Sequence, residues 1–145
     1  MLNNPSLQII GKIRKLSRSL DKYSKYLDSK YHVTLPQLLC LSEMHARGST
    51  TLTELTRKLN MNNSAMTGIV DRLESKGLLQ RIRKGGDRRT VFIEFTETGR
   101  EYAGHLLQVL ETDSFFDATK ISADQLTDIV TSLDQIISSL DPEVK

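Results

Sequence analysis

Basic side chains are concentrated around two adjacent glycines, Gly85 and Gly86. Five cations fall there within nine residues: Arg81, Arg83, Lys84, Arg88 and Arg89. Such groups bind phosphates, and arginine also enters the narrow, negative minor groove of DNA. Asp87 lies among these cations, and a carboxylate beside an arginine can orient its guanidinium. The stretch indicates a polyanion-binding loop, with a solvated hairpin as the alternative.

Short polar side chains share one face of a helix that precedes this loop. Met66, Ile69, Val70 and Leu73 have the i, i+3, i+4, i+7 spacing of a buried helical face. Asparagine can pair with adenine, and serine or threonine can bond base edges or phosphates. The candidate DNA-binding residues of the helix and loop are Asn62, Asn63, Ser64, Thr67, Gly68, Arg72, Arg83, Lys84, Asp87, Arg88 and Arg89.

Charge is distributed unevenly along the 145 residues. Residues 47–89 carry 10 basic and 4 acidic side chains, a net charge of +6. Residues 101–145 carry 2 basic and 9 acidic side chains, a net charge of −7. The chain as a whole carries only +2. A basic segment inside a nearly neutral chain is the electrostatic pattern expected of a polyanion-binding region.

The periodicity predicts a series of helices before the loop. A seam of apolar residues spaced by four and three predicts a long first helix: Ile9, Ile13, Leu16, Leu20, Tyr23 and Leu27. Thr34 caps a second helix that ends near Gly48, and Thr51 with Glu54 forms a capping box for a third that runs to about Leu59. Asn60 is a plausible stop, and Asn62 or Asn63 caps the fourth helix, which ends at Gly77.

The pattern then changes to the alternation of β-strands. Residues 80–84 and 90–95 predict a two-stranded hairpin around the glycine turn. A fifth helix follows Thr96, and Ser122 caps a last helix. Its apolar residues are expected to face inward: Leu126, Ile129, Val130, Leu133, Ile136, Ile137 and Leu140.

This order of elements predicts a winged helix-turn-helix: a mainly α fold with a small β-hairpin, flanked by N- and C-terminal helices that pack on each other or on a partner. The family resemblance described below implies that these flanks are dimerisation helices, an N-terminal one over residues 1–33 and C-terminal ones over 100–145, around a DNA-binding region over 34–99. Together these regions form one intertwined domain.

The sequence resembles the multiple antibiotic resistance regulator (MarR) family of bacterial transcription factors. The resemblance rests on LNMNNSAMTGIVDRLESKGLLQRIRKGGDRRTVFIEFTETG, from Leu59 to Gly99, and on TLPQLLCL, from Thr34. It implies a homodimer on a pseudo-palindromic operator, with the fourth helices in major grooves and the wings in flanking minor grooves. It also implies repression, relieved by a small aromatic or anionic effector. Arg89 matches the wing arginine and Asp87 its acidic partner, whereas Gly68 and Phe95 depart from the family pattern.

Effector and redox sites are less clearly marked. Candidate effector-pocket residues are Arg18, Tyr23, His32, Met44 and His45, although packing or surface roles suit each of them as well. The lone cysteine, Cys40, is a candidate redox switch, but it lies in an apolar helix where a thiol is inert. Histidine spacing indicates no metal site, and we expect no cofactor.

Several other classes are disfavoured by the composition. No apolar run approaches the roughly 18 residues of a membrane span, the N-terminus lacks signal-peptide features, and a single cysteine fits a reducing cytoplasm. An enzyme is not expected, because no phosphate loop, nucleophile elbow or paired metal motif is present. The alternatives to an effector-controlled regulator are a winged-helix module that binds protein and a cysteine-based redox regulator.

Overall fold

Six helices and three short strands account for the regular structure of the residues described by a computed structural model, which are 4–84, 86, 89–117, 119–140 and 143. In chain order the elements are α1 (Pro5–Tyr31), α2 (Leu35–Arg47), β1 (Thr50–Thr51), α3 (Leu52–Lys58), α4 (Asn63–Ser75), β2 (Leu79–Arg83), β3 (Val91–Phe95), α5 (Glu97–Leu110) and α6 (Ala123–Ser138). The chain divides into two compact units, Met1–Val109 and Leu110–Lys145. The expected winged helix-turn-helix is confirmed. No helix in the described part is long and apolar enough to cross a bilayer.

Two of the predicted helix caps, Thr34 and Ser122, form complete capping boxes. Thr34 Oγ1 accepts from Gln37 N at 3.3 Å, while Thr34 N donates to Gln37 Oε1 at 3.2 Å. Ser122 and Gln125 make the same reciprocal pair at the start of α6. Each box satisfies two backbone groups that the first helical turn would otherwise leave without a partner.

The prediction of a capping box at the start of α3 is only half right, because one of its two hydrogen bonds is present. Thr51 Oγ1 accepts from Glu54 N at 3.2 Å, as expected for a cap. The Glu54 carboxylate does not return to the Thr51 backbone, because it accepts a 2.8 Å hydrogen bond from the hydroxyl of Thr50. Thr50 has its own backbone in a strand, which brings its hydroxyl to the position that Glu54 can reach.

The sheet has three strands rather than the two predicted. β1 pairs with β3, which also pairs with β2, so the order is β1-β3-β2 and all pairs are antiparallel. Thr50 and Arg81 both lie opposite Ile93, which is fully buried at the centre of the sheet. The sequence did not predict β1, because two residues are too few to show a period-two pattern.

The core of the first unit lies between α2, α3, α4 and the sheet. The predicted buried face of α4 is confirmed, since Met66, Ile69, Val70 and Leu73 are all buried. At the start of α5, Gly99 lies so close to the backbone of Leu78 that a Cβ there would overlap with the Leu78 carbonyl. The missing side chain therefore lets α5 begin directly against the end of the helix-to-strand connection.

The apolar seam of α1 is only partly covered. Leu27, near its C-terminal end, is buried, but Ile9, Ile13, Leu16 and Leu20 are 37–43% exposed in the single chain. A row of exposed isoleucine and leucine on one helical face is unusual for a protein that acts as a monomer. The seam is available for contact with another chain.

The prediction that the stripe of α6 faces inward is wrong for the single chain. No residue of α6 is buried, and four of its apolar side chains are 38–57% exposed: Ile129, Val130, Leu133 and Ile137. Within the described part of its own unit, α6 is the one complete helix, so no second complete helix of that unit covers its apolar face. The periodicity correctly showed an apolar face, but it did not show what covers that face.

Candidate nucleic-acid interface

A tight turn sets the angle between α3 and α4. Asn60 has a φ of +52°, in the left-handed region that asparagine enters more readily than most residues. Met61 N then donates to Thr56 O at 3.0 Å, which closes the turn. The predicted stop at Asn60 is confirmed, and the turn delivers the chain to the start of α4.

Asn62 is the N-cap of α4. Its Oδ1 accepts from Ala65 N at 2.7 Å, a strong bond that satisfies one free backbone donor of the first turn. A bidentate pair with adenine needs both the oxygen and the nitrogen of the side-chain amide. While Asn62 caps the helix, only its NH₂ group remains to donate. Asn63, exposed at the next position, has both groups available for a base.

The other candidate residues of α4 lie along its exposed side. Ser64 and Arg72 are exposed, whereas Thr67 and Gly68 are half-buried. A Cβ at Gly68 would meet nothing within 4 Å, so the glycine leaves open space on this face. The apolar side of α4 is held in the core, which presents its polar side and its electropositive N-terminus outward.

Arg81 is engaged with α4 rather than available to a phosphate. Its two terminal nitrogens donate to Asp71 Oδ1 and Glu74 Oε1, both at 2.6 Å. This fork joins β2 to the C-terminal half of α4. Among the cations that the sequence places on the wing, Arg81 therefore has its charge balanced internally and positions the wing relative to α4.

The rest of the wing carries the remaining cations. Arg83, Lys84 and Arg89 are exposed. Lys84 Nζ pairs with the carboxylate of Glu94 and lies 5.8 Å from the centre of the Phe92 ring. Asp87 and Arg88, the other two candidates of the loop, lie outside the described residues.

Glu94 connects the wing to the body of the first unit. The hydrogen bond from Lys84 is the main cause that holds the pKa of Glu94 below its ordinary value, followed by a hydrogen bond from Ser49. Arg100 contributes a further attraction through its charge. Glu94 therefore stays ionised beside three donors or cations.

A cavity of about 270 Å³ lies next to Glu94. It is lined by Met44, His45, Gly48, Ser49, Glu94, Phe95 and Arg100. Two of the five predicted effector residues, Met44 and His45, are in this lining. Sequence reasoning missed Ser49, Glu94 and Arg100, because they come from separate segments with no shared spacing.

The other three predicted effector residues do not line this cavity. Arg18 lies beside Arg14 and Lys22 on an exposed face of α1. Tyr23 stacks on Tyr26, and His32 ends α1 in a left-handed conformation while its carbonyl accepts from Lys76 Nζ at 2.7 Å. Arg18 and His32 are 14 positions apart, about 21 Å along the helix, so these two residues do not line one small cavity of the single chain.

The sequence profile of the MarR family matches residues 33–91, from just before α2 through α3, α4 and β2 to the first residue of β3. The chain contains a MarR-family domain. This MarR-family protein is a transcriptional regulator, and the expectation that it is not an enzyme is confirmed by the family assignment.

Relatives and solved structures agree with this assignment. The transcriptional regulator SarZ of Staphylococcus haemolyticus is 28% identical over 120 residues, which cover 83% of this chain and 80% of SarZ. The regulator BldR of Sulfolobus solfataricus superposes with a TM-score of 0.73 at 25% identity, over 97% of this chain and 99% of BldR. The chain also shares its fold with MepR of Staphylococcus aureus in a complex with DNA, with a TM-score of 0.74 at 18% identity and coverage of 89% and 95%.

Cys40 of this MarR-family protein is fully buried. Burial raises the pKa of its thiol to about 12, because the apolar surroundings disfavour the charged thiolate. The thiolate is the form that attacks peroxides, so this conformation argues against the redox role considered above. In the described part of the chain, no three histidine, cysteine, aspartate or glutamate side chains are grouped as metal ligands would be.

Proposed function

We propose that this MarR-family protein is a homodimeric repressor that binds a pseudo-palindromic operator and releases it when a small effector binds. In this proposal it acts in the cytoplasm, with α4 in the major groove and the wing at the flanking minor groove. The observation that carries the proposal is the exposed polar start of α4, next to a wing rich in cations.

The geometry of α4 suits a major groove. A helix with its side chains is about 10–12 Å wide and the groove is about 12 Å wide, so one helix fits. The buried face of α4 fixes it in the protein and leaves Asn63 and Ser64 at its outward N-terminal end. Residues at that end of a recognition helix reach base edges.

The wing supplies charge for the backbone. Arg83 and Arg89 are exposed on its two arms, and Lys84 lies between them in sequence. Arginine suits phosphates and a narrow minor groove. The fork from Arg81 to Asp71 and Glu74 supports this arrangement by tying β2 to α4, so that helix and wing approach DNA as one body.

Dimerisation is supported by the exposed apolar faces of α1 and α6. A symmetric dimer presents two copies of α4, which accounts for a pseudo-palindromic operator with half-sites about one helical turn apart. The variant Val130→Glu should prevent dimerisation without disturbing the monomer core, because Val130 is 57% exposed in the single chain. The matched control is Gln135→Glu, because Gln135 lies off the apolar stripe. Light scattering measures the mass of both variants.

DNA binding is tested by fluorescence anisotropy with a duplex from immediately upstream of the coding gene and a scrambled duplex of the same composition. Salt is varied from about 50 to 200 mM. Preference for the upstream duplex and a steep salt dependence support the proposal. Equal, salt-insensitive binding to both duplexes would contradict it and favour the protein-binding winged-helix module.

A further inference from the structure

The C-terminal end of α1 accepts hydrogen bonds from side chains of α5 and of the end of α4. Tyr102 Oη, from α5, donates to the backbone carbonyl of Tyr31 at 3.2 Å. Lys76 Nζ donates to the backbone carbonyl of His32 at 2.7 Å. The last carbonyls of a helix have no partner inside the helix, so these two bonds satisfy groups that would otherwise depend on water. We call this end, residues 31–33, the α1 junction.

Lys76 belongs to the end of α4, the helix proposed to enter the major groove. It is the C-cap of α4, where its backbone N–H donates to Arg72 O at 3.1 Å. Its ammonium lies at the carbonyl end of α1, where the helix dipole favours a positive charge. A longer bond of 3.4 Å joins the same ammonium to Gln37 Oε1, the oxygen that completes the capping box of α2. One side chain therefore ties the end of α4 to the end of α1 and to the start of α2.

The α1 junction is the part of α1 that is held in the core. Leu27 is the one buried side chain in the described part of the helix, and Val33, just beyond it, is also buried, whereas the seam from Ile9 to Leu20 is exposed. The helix has 27 residues and is about 40 Å long, so a rotation of about 5° at the junction moves its far end by about 3.5 Å. That displacement is close to the rise of one base pair, about 3.4 Å. In a dimer joined through α1, a small change at the junction therefore alters the distance between the two copies of α4.

We propose that Lys76 is a positioning residue: by bonding α4 to the α1 junction, it sets the distance between the two copies of α4 and thereby the half-site spacing that the dimer accepts. This inference rests on the proposed function, because it names what determines the spacing of the operator. Lys76 acts through the protein backbone and needs no contact with DNA. Its bond to His32 is exposed and competes with water, so its loss changes the geometry of the dimer more than the stability of the fold.

The first test measures the distance between the two copies of α4 in the dimer without DNA. A nitroxide label at Ala65→Cys, on the exposed start of α4, reports this distance by double electron–electron resonance in a Cys40→Ala background. We expect a narrow distance distribution with Lys76 in place and a broader or displaced one in Lys76→Met, which keeps the unbranched stem and removes the charge. Lys76→Arg should keep the narrow distribution, because it keeps a cationic donor. An unchanged distribution in Lys76→Met would overturn the proposal.

The second test measures which half-site spacing the dimer prefers. Footprinting on the upstream duplex locates the centre of the operator, where one or two base pairs are then inserted or removed. The ratio of the affinities for natural and altered spacing should fall by about threefold or more in Lys76→Met, a factor within the range of one intramolecular hydrogen bond. A residue that only stabilised the fold would lower all affinities alike. A spacing profile of unchanged shape would therefore contradict the role of Lys76.

Matched variants separate the positioning of α4 from a general loosening of α1. Lys58→Met removes a cation from the end of α3 and should change neither measurement. Tyr102→Phe removes the bond from α5 to Tyr31 but leaves the link to α4, so it should lower the free energy of unfolding without broadening the distance distribution. Equal broadening in Tyr102→Phe would assign the effect to the whole end of α1 and overturn the assignment to Lys76. Lys76→Gln, with a shorter neutral side chain, takes the place of Lys76→Met if the latter does not fold.

Failure of the proposed function gives a different result from failure of this inference. If the labelled protein with Lys76 in place shows no distance between two labels, the dimer proposal fails. If the dimer forms but binds neither duplex, the regulator proposal fails, while the label distances still decide whether Lys76 sets the position of α4. If the dimer binds the upstream duplex and Lys76→Met changes neither measurement, only the assignment of Lys76 fails.

Discussion

The guanidinium of Arg81 donates to the carboxylate of Asp71 across 2.6 Å and joins the first strand of the wing to the recognition helix α4. A second arm of the same guanidinium reaches Glu74 at the same distance. Helix and wing are joined by the connection from Lys76 to Leu78, whose backbone is hydrogen-bonded to the end of α4, and the fork adds a side-chain link between them.

Replacing Arg81 by Gln should weaken operator binding without changing its salt dependence. Both partners of the fork belong to the protein, so no phosphate contact or released counterion is lost. The ion pairs are partly exposed, and exposed pairs contribute about 0.2–1 kcal/mol each, so the free energy of unfolding should fall by about 1 kcal/mol. Urea unfolding and anisotropy over a salt series measure the two effects.

The matched change is Asp71→Asn, combined with Arg81→Gln in a double-mutant cycle. A coupling energy between the two positions is expected. A reduced salt slope in the Arg81 variant would instead make Arg81 a phosphate contact.

Replacing Arg89 by Ala should act on DNA rather than on stability. If Arg89 contacts phosphate or the minor groove, operator affinity falls and the salt slope decreases by about 1 per subunit. The same anisotropy series measures the affinity and the salt slope. The control is Arg14→Ala, which removes a cation from α1. An unchanged affinity and slope would remove Arg89 from the interface.

Ser64→Ala at the start of α4 should change which sequence is preferred. A lost base contact costs on the order of 1 kcal/mol at one base pair and leaves other operator variants nearly unaffected. The measurement is affinity across a set of single-base operator variants. Ser75→Ala, at the far end of the same helix, is the control and should change nothing. A uniform loss across all variants would assign Ser64 to the DNA backbone.

Gly99→Ala should destabilise the first unit. The new Cβ would overlap with the carbonyl of Leu78, a backbone atom that cannot rotate away, and overpacking of this kind costs about 1–3 kcal/mol. Gly104→Ala lies in the same helix, where a Cβ would make an ordinary 3.8 Å contact with His45. That control should be neutral or stabilising by up to about 1 kcal/mol, because alanine favours helix. Urea unfolding compares them, and equal stability of the two variants would contradict the close approach at Gly99.

Cys40 should resist thiol reagents and peroxide at neutral pH while the protein is folded. Burial raises the pKa of its thiol from 9.0 to about 12, so the folded state keeps the proton that the unfolded state releases. The contribution of the protonated thiol to the free energy of unfolding is complete below about pH 9. It is lost at up to about 1.4 kcal/mol per pH unit as the pH rises towards 12.

Two measurements check the buried thiol. Labelling with a chromogenic disulfide should require denaturant, and the loss of stability above pH 9 should be steeper in the natural sequence than in Cys40→Ala. Rapid labelling of the folded protein, or loss of operator binding in peroxide that Cys40→Ala prevents, would restore the redox alternative.

The sequence by itself determined the helical elements and the polar face of α4. Thr34, Asn62 and Ser122 each cap a helix by accepting from the residue three positions ahead, and Met66 to Leu73 mark a buried face by spacing alone. These interactions join residues that are close in sequence, so the sequence pattern alone predicts them.

Only the tertiary structure decided which charges are paired and which apolar faces are covered. Arg81 meets Asp71, ten positions away, because a helix and a strand pack together. The cavity beside Arg100 exists because the end of α2, the connection that follows it, β3 and α5 converge. The stripe of α6 is as periodic as that of α4, but it is exposed, because burial depends on a second surface that spacing within one segment does not specify.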